Sequence, residues 1–138
     1  MKPNGLTKKK AATILARAWN NLDVSILEPY IAEDIICWSQ QVLTDMTGKK
    51  AVMEYFTDKM ETTRNSPGEQ VYAELGETKP YPMAPNPPEP CVILAKGDKN
   101  NIDALVLLKI ESNKINSIAL CSDAPHPSTA RRSGEYPD

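Results

Sequence analysis

From Lys9 to Leu22 the apolar positions are Ala11, Ala12, Ile14, Leu15, Ala18, Trp19 and Leu22. This i, i+3, i+4, i+7 spacing predicts a helix over 11–22 with one buried face. Asp23 and Ser25 are candidate caps for a short second helix, Val24 to Tyr30, with Pro29 near its end. Ile35 to Leu43 is rich in β-branched and aromatic residues and predicts a strand. Thr44 to Gly48 follows as a turn, with Thr47 capping a helix over 49–61. Val52, Tyr55, Phe56, the stem of Lys59, and Met60 keep helical spacing in that segment.

The second half of the chain changes period from 3.6 to 2. Val71, Ala73 and Leu75 share one side of a strand. Cys91 to Ala95 is a short buried strand, and Lys96 to Asn101 is a hairpin loop. In Ile102 to Glu111, Ile102, Ala104, Val106, Leu108 and Ile110 fall on one face. Asp103, Leu105, Leu107, Lys109 and Glu111 fall on the other. Ser112 to Lys114 is a tight turn into a last strand, Ile115 to Ser122. Between the first two of these strands, Pro80 to Pro90 holds six prolines in eleven residues. Proline cannot donate to a sheet ladder and stiffens the chain, so this stretch reads as a long surface connection. Ala124-Pro125-His126-Pro127 stops the last strand. The division expected is a flexible tail over 1–10, one domain over 11–123 and a polar C-terminal tail over 124–138.

Helices first and then a run of meandering strands indicate an α+β fold rather than a parallel α/β one. The long strand is apolar on both faces. One face must pack on the helices, and the other needs a second cover, which a homodimer would supply. Trp38, Leu105, Leu107 and Ala119 are the residues expected at that interface, with the charges at the strand ends forming its rim.

Composition narrows the functional classes. The chain has 138 residues, 41% hydrophobic and 25% charged, which suits one domain with its own core. The net charge of -2 argues against a general nucleic-acid binder. No apolar run reaches the ~18–20 residues of a membrane span, and no apolar segment follows the first lysines. A cytoplasmic protein is expected. Cys37, Cys91 and Cys121 show no C-x-x-C spacing, and His126 is the only histidine, so the thiols read as reduced and buried and no metal or cofactor is expected.

Three segments carry a likeness: Ala18-Trp19-Asn20-Asn21-Leu22-Asp23, Tyr30-Ile31-Ala32-Glu33-Asp34-Ile35-Ile36, and Gly48-Lys49-Lys50-Ala51-Val52-Met53-Glu54-Tyr55-Phe56. With the order of elements, they resemble the SnoaL-like, or nuclear transport factor two-like, superfamily of cystatin-like cones, over residues 10–123. The resemblance implies N-terminal helices held in the concave face of a curved antiparallel sheet, with a pocket at the mouth. It implies a pocket lined by Leu15, Trp19, Cys37, Ser39, Tyr55, Phe56, Val106, Leu108, Ile118, Leu120 and Ser122.

The superfold hosts many chemistries. Its steroid isomerases use a carboxylate base with a tyrosine and a protonated acid as oxyanion donors. By resemblance those positions fall on Ser39, Leu15 and near Val106, so that acid–base set is absent. A serine without a neighbouring base abstracts no proton at neutral pH. A Ser39–His126–Asp123 set can be written down, but no spacing supports it. Trp38 should point away from Ser39, toward the dimer face. Two readings follow: a homodimer with a largely apolar pocket for a small hydrophobic or aromatic ligand, or a noncatalytic interaction module using the sheet face and the Pro80–Pro90 loop.

Overall fold

The computed structural model describes residues 5–40, 42–78, 88–122 and 127–138. Helix α1 (Lys8–Asn21) starts where the extended backbone of Thr7 lets its hydroxyl accept the Lys10 N–H at 3.1 Å. It ends at Leu22 in the left-handed region, and the Asp23 N–H reaches back to the Ala18 carbonyl. The expected second helix is instead two 3-10 turns, Val24–Ile26 and Glu28–Tyr30. The Asp23 carboxylate takes both the N–H and the hydroxyl of Ser25, and Pro29 has no N–H to offer, so an i→i−4 ladder cannot propagate.

The strand expected over 35–43 is in fact a hairpin. Strand β1 (Ile31–Ser39) pairs antiparallel with β2 (Val42–Thr47), placing Ile36 opposite Thr47 and Cys37 opposite Met46. Of the residues read as a turn, Thr44 to Thr47 lie within β2, and Thr47 belongs to the ladder rather than capping a helix. Gly48, at φ 96°, is the N-cap of α2 (Lys49–Arg64). That left-handed backbone is where glycine costs least. Val52, Phe56 and Met60 form the buried stripe of α2.

The remaining strands are β3 (Val71–Glu77), β4 (Pro90–Lys96), β5 (Ile102–Glu111), β6 (Lys114–Cys121) and β7 (Arg131–Arg132). They form a single sheet in the order β2-β1-β6-β5-β4-β3-β7. The fold is the expected α+β cone, but the sheet is mixed. The meander is antiparallel, whereas β6 returns to lie parallel to β1, with helix α2 and the four strands β2 to β5 between them in the chain. Register shifts in the β1–β2, β1–β6, β4–β5 and β5–β6 pairs interrupt the ladder and bend the strands.

The main core lies between the helices and the sheet. Leu15, Trp19, Ile35, Cys37, Phe56, Val106, Leu108 and Ile118 are buried there. A second cluster on the opposite side joins Cys91, Ile93, Leu105, Ala119, Cys121 and Ala130, with Ile102 and Leu107 at its margin. The shift between Leu94 and Ala95 turns Ile102 out of the face that strict alternation assigns it. Leu105 and Ala119, expected to need a partner chain for cover, are 1% and 6% exposed within one chain. Ala130 packs beside them, and the 3-10 turn Pro127–Thr129 lies on β5.

The polar C-terminal segment also departs from the expected tail. Strand β7 adds to the edge of β3, with Gly76 opposite Arg132 and Glu77 opposite Arg131. Glu74, 2% exposed, accepts from Arg132 Nε at 2.8 Å, the Gly134 N–H at 2.6 Å and the Tyr136 hydroxyl at 3.2 Å. Asn20 on α1 donates through Nδ2 to the carbonyls of Ala73 and Pro137 and accepts the Ala73 N–H. A buried carboxylate with three donors stays compatible with the fold because its lone pairs are satisfied. Polar side chains thus supply the partners that join this segment to the sheet.

Candidate functional site

Three elements meet at one end of the cone. The Gln40 N–H donates to the Leu120 carbonyl at 3.1 Å, and its Oε1 accepts the Ser122 N–H at 2.8 Å. This ties the end of β1 to the end of β6 and brings Ser39, Leu120 and Ser122 together. Helix α1 presents Trp19, and α2 presents Tyr55, Lys59 and Thr63 at successive i+4 steps. Val71, Leu94, Lys96, Asp103 and Ala104 close the ring. The cavity they enclose measures about 120 Å3. A larger groove of about 300 Å3 runs along Gly76, Pro90 and Arg131 at the sheet edge beside β7, with Lys9 and Ala12 of α1 on its wall.

The wall is graded from buried to exposed. Trp19, Ser39 and Leu94 are buried, whereas Lys59, Lys96 and Asp103 are exposed at the mouth. Aromatic rings run along one side. Trp19 meets Phe56 edge-on at 6.3 Å between centroids, and Tyr55 meets Phe56 at 5.4 Å. The Lys59 ammonium sits 5.4 Å from the Tyr55 ring centroid. The Trp19 indole N–H is buried with no acceptor among the described residues. Burial, and then the neighbouring Cys37, raises the Tyr55 hydroxyl above its ordinary range, so it stays protonated. Burial, and then Asp45, pushes the Cys37 thiol up to about 11. It is a neutral core thiol and a poor nucleophile.

Of the expected pocket residues, Trp19, Ser39, Tyr55, Leu120 and Ser122 do line the cavity. Leu15, Cys37, Phe56, Val106 and Leu108 do not. They are at most 4% exposed and form packed core beneath it. Ile118, fully buried, joins them. Alternation identifies which face a residue occupies but not its depth along the cone. The mouth was missed for two reasons. Thr63 continues the Tyr55–Lys59 stripe by one more turn, two residues past the expected helix end, a signal that was present in the spacing. Asp103 reaches the cavity wall beside the β4–β5 register shift, which no local pattern announces. Trp38 does point opposite to Ser39, as expected, and is 37% exposed on the outer side. His126 and Asp123 lie outside the described residues.

This set of side chains can bind and orient, and it is poorly equipped for proton transfer. Asp103 is the one carboxylate on the cavity wall among the described residues, and it is solvated at the mouth. A carboxylate facing water at the rim is not positioned against a proton held deep in the cavity. The described residues hold no group of three metal-ligating side chains. No helix among them is long and apolar enough to cross a membrane.

No protein-family model matches the chain, and no curated protein matches it. Solved structures do. One is a SnoaL-like protein of unknown function from Burkholderia thailandensis, 12% identical, with a TM-score of 0.59 over 95% of this chain and 100% of that one. An uncharacterized cystatin-fold protein from Novosphingobium aromaticivorans is 13% identical, with a TM-score of 0.58 over 85% of this chain and 99% of that one. A de novo designed protein with a curved β-sheet is 11% identical, with a TM-score of 0.58 over 82% of each chain. At such identities the likeness establishes the cone fold alone. That a designed chain shares it shows how little the fold by itself says about activity.

Proposed function

We propose that the chain is a small-molecule-binding protein whose cone cavity takes a ligand about the size of one aromatic ring. The observation that carries this reading is the graded cavity itself, with aromatic and aliphatic walls inside and the charged side chains Lys59, Lys96 and Asp103 at the mouth. Ligand sites are commonly concave and mostly apolar with a few placed polar groups. At about 120 Å3 the cavity is near the roughly 150 Å3 void that admits benzene in an engineered protein, and well short of a steroid site. The three cysteines are free and buried, which suits a reducing, cytoplasmic setting.

Thermal shift against a panel of single-ring compounds tests the reading. A ligand at about 100 times its Kd stabilises the native state by about 2.7 kcal/mol, a rise of several degrees. Failure of every cavity-sized compound would favour an interaction module. That second reading draws on the outer sheet side, where Ile36 and Trp38 are 44% and 37% exposed beside Ala119. The same pair supports a homodimer through this face, smaller than first expected because the chain covers Leu105 itself.

A further inference from the structure

The charges at the cavity mouth are unequal in sign. Two ammonium groups stand there, Lys59 from α2 and Lys96 from the end of β4, against one carboxylate, Asp103. Lys59 follows Tyr55 by four residues on one face of α2, and its ammonium lies over the Tyr55 ring that lines the cavity. It forms no ion pair among the described residues. Lys96 lies opposite Val71 in the β3–β4 ladder, and directly opposite residues share a face. Val71 packs against the main core, so Lys96 belongs to the cavity side of the sheet. Its ion pair with Glu69, at 3.5 Å, joins side chains that are 48% and 57% exposed, and water competes with such a contact.

Behind the mouth the wall carries no charge. Trp19, Leu94 and Leu120 are apolar, and the Tyr55 hydroxyl stays protonated. A charged group taken that deep would lose its hydration without meeting an opposite charge. A ligand of this cavity is therefore divided, with its apolar ring inside and any charge at the rim, where water still reaches it. The rim also selects the sign. A carboxylate there meets two ammonium groups and one repulsion, whereas an ammonium meets one carboxylate and two repulsions.

We propose that the cavity's ligand is a single-ring monocarboxylate, its ring against Trp19 and Leu94 and its carboxylate at the mouth between Lys59 and Lys96. The proposal deepens the binding reading above and rests on it. Lys59 is thereby a specificity-determining residue, since its ammonium has no other charge to meet among the described residues. Asp103 acts in the opposite sense. It weakens the hold on one carboxylate and selects against a ligand with two.

Benzoate and acetophenone have nearly the same shape and differ in charge, so the ratio of their affinities, titrated at pH 7 and low salt, reads the carboxylate's share. In Lys59→Met, which keeps the apolar stem, the preference for benzoate should fall about fivefold, the upper end of what a solvent-facing ion pair supplies. A similar fall is expected in the wild type at about 0.5 M salt, where the Debye length shrinks to about 4 Å. Asp103→Asn should raise the preference. Lys109→Met, which removes an exposed ammonium that is not on the cavity wall, should leave it unchanged. All three positions are exposed, so the variants should stay folded. If the ratio is unchanged in Lys59→Met, falls as much in Lys109→Met, or benzylamine binds more tightly than benzoate, the carboxylate proposal is overturned while cavity binding stands. If neither benzoate nor acetophenone binds, both fall.

Discussion

The three thiols show what burial does to a single group. Cys37 is pushed up to about 11 and Cys91 to about 12, in each case first by burial and then by a nearby carboxylate, Asp45 or Glu77. The unfolded chain ionises these thiols near their ordinary value of 9.0, so above that pH it has fewer protons bound than the native state. Stability must therefore fall as pH rises from 9 toward 11, by up to about 1.4 kcal/mol per pH unit for each such thiol. Melting temperatures of the wild type and Cys91→Ala across this range check it, and the variant should show the shallower decline. At pH 8 the native protein should react negligibly with a disulfide thiol reagent and yield three equivalents in denaturant. Rapid labelling of the folded protein would mean the thiols are less shielded than their fractional exposures of 1% or less indicate. The Glu74–Arg132 pair works by a different logic. Arg132→Ala leaves a 2%-exposed carboxylate with the Gly134 N–H and the Tyr136 hydroxyl as its remaining donors. A loss of about 2 kcal/mol is expected in denaturant unfolding, the scale of a charge-assisted hydrogen bond.

At the scale of elements, the β3 edge depends on one glycine. A Cβ at Gly76 would lie 2.5 Å from the Ile93 Cδ1 and 2.8 Å from the Arg131 carbonyl oxygen. The isoleucine methyl can turn away, but the carbonyl belongs to β7 and can yield only if that strand moves. Gly76→Ala should therefore destabilise the protein by about 1–3 kcal/mol, with faster amide exchange confined to 131–135. Unchanged exchange there would mean β7 is held by its side chains alone. Helix α1 and strands β3 to β6 were legible because long amphipathic patterns carry their own period. The β1–β2 hairpin was not, since Ile31 to Thr47 contains no glycine or proline to mark the reversal. Strand β7 was not either. Arg131-Arg132-Ser133 has no strand pattern, and its place comes from the β3 edge and from Glu74, both distant in sequence. The site was half legible for the same reason. Faces follow from alternation, while depth and the wall position of Asp103 follow from where strands shift register.

For the whole molecule, two surfaces remain to be assigned. The outer side of β1 presents Ile36 and Trp38, and full burial of such side chains contributes roughly 1.5–3 kcal/mol each. If this face pairs two copies, sedimentation equilibrium should show a dimer at tens of micromolar, about the range where modest interfaces assemble. Trp38→Glu should convert it to a monomer with nearly unchanged melting temperature, since the side chain is already 37% exposed. A wild-type monomer would leave this face to another partner. The other surface is the cavity, on which the functional account stands. Its most direct test is calorimetric titration of acetophenone into the wild type and into Ala104→Phe, whose added ring occupies the space bounded by Ala104. The account predicts one site per chain in the wild type and no measurable binding in the variant, with the variant still cooperatively folded. Equal binding by the two proteins would place the ligand elsewhere and contradict it.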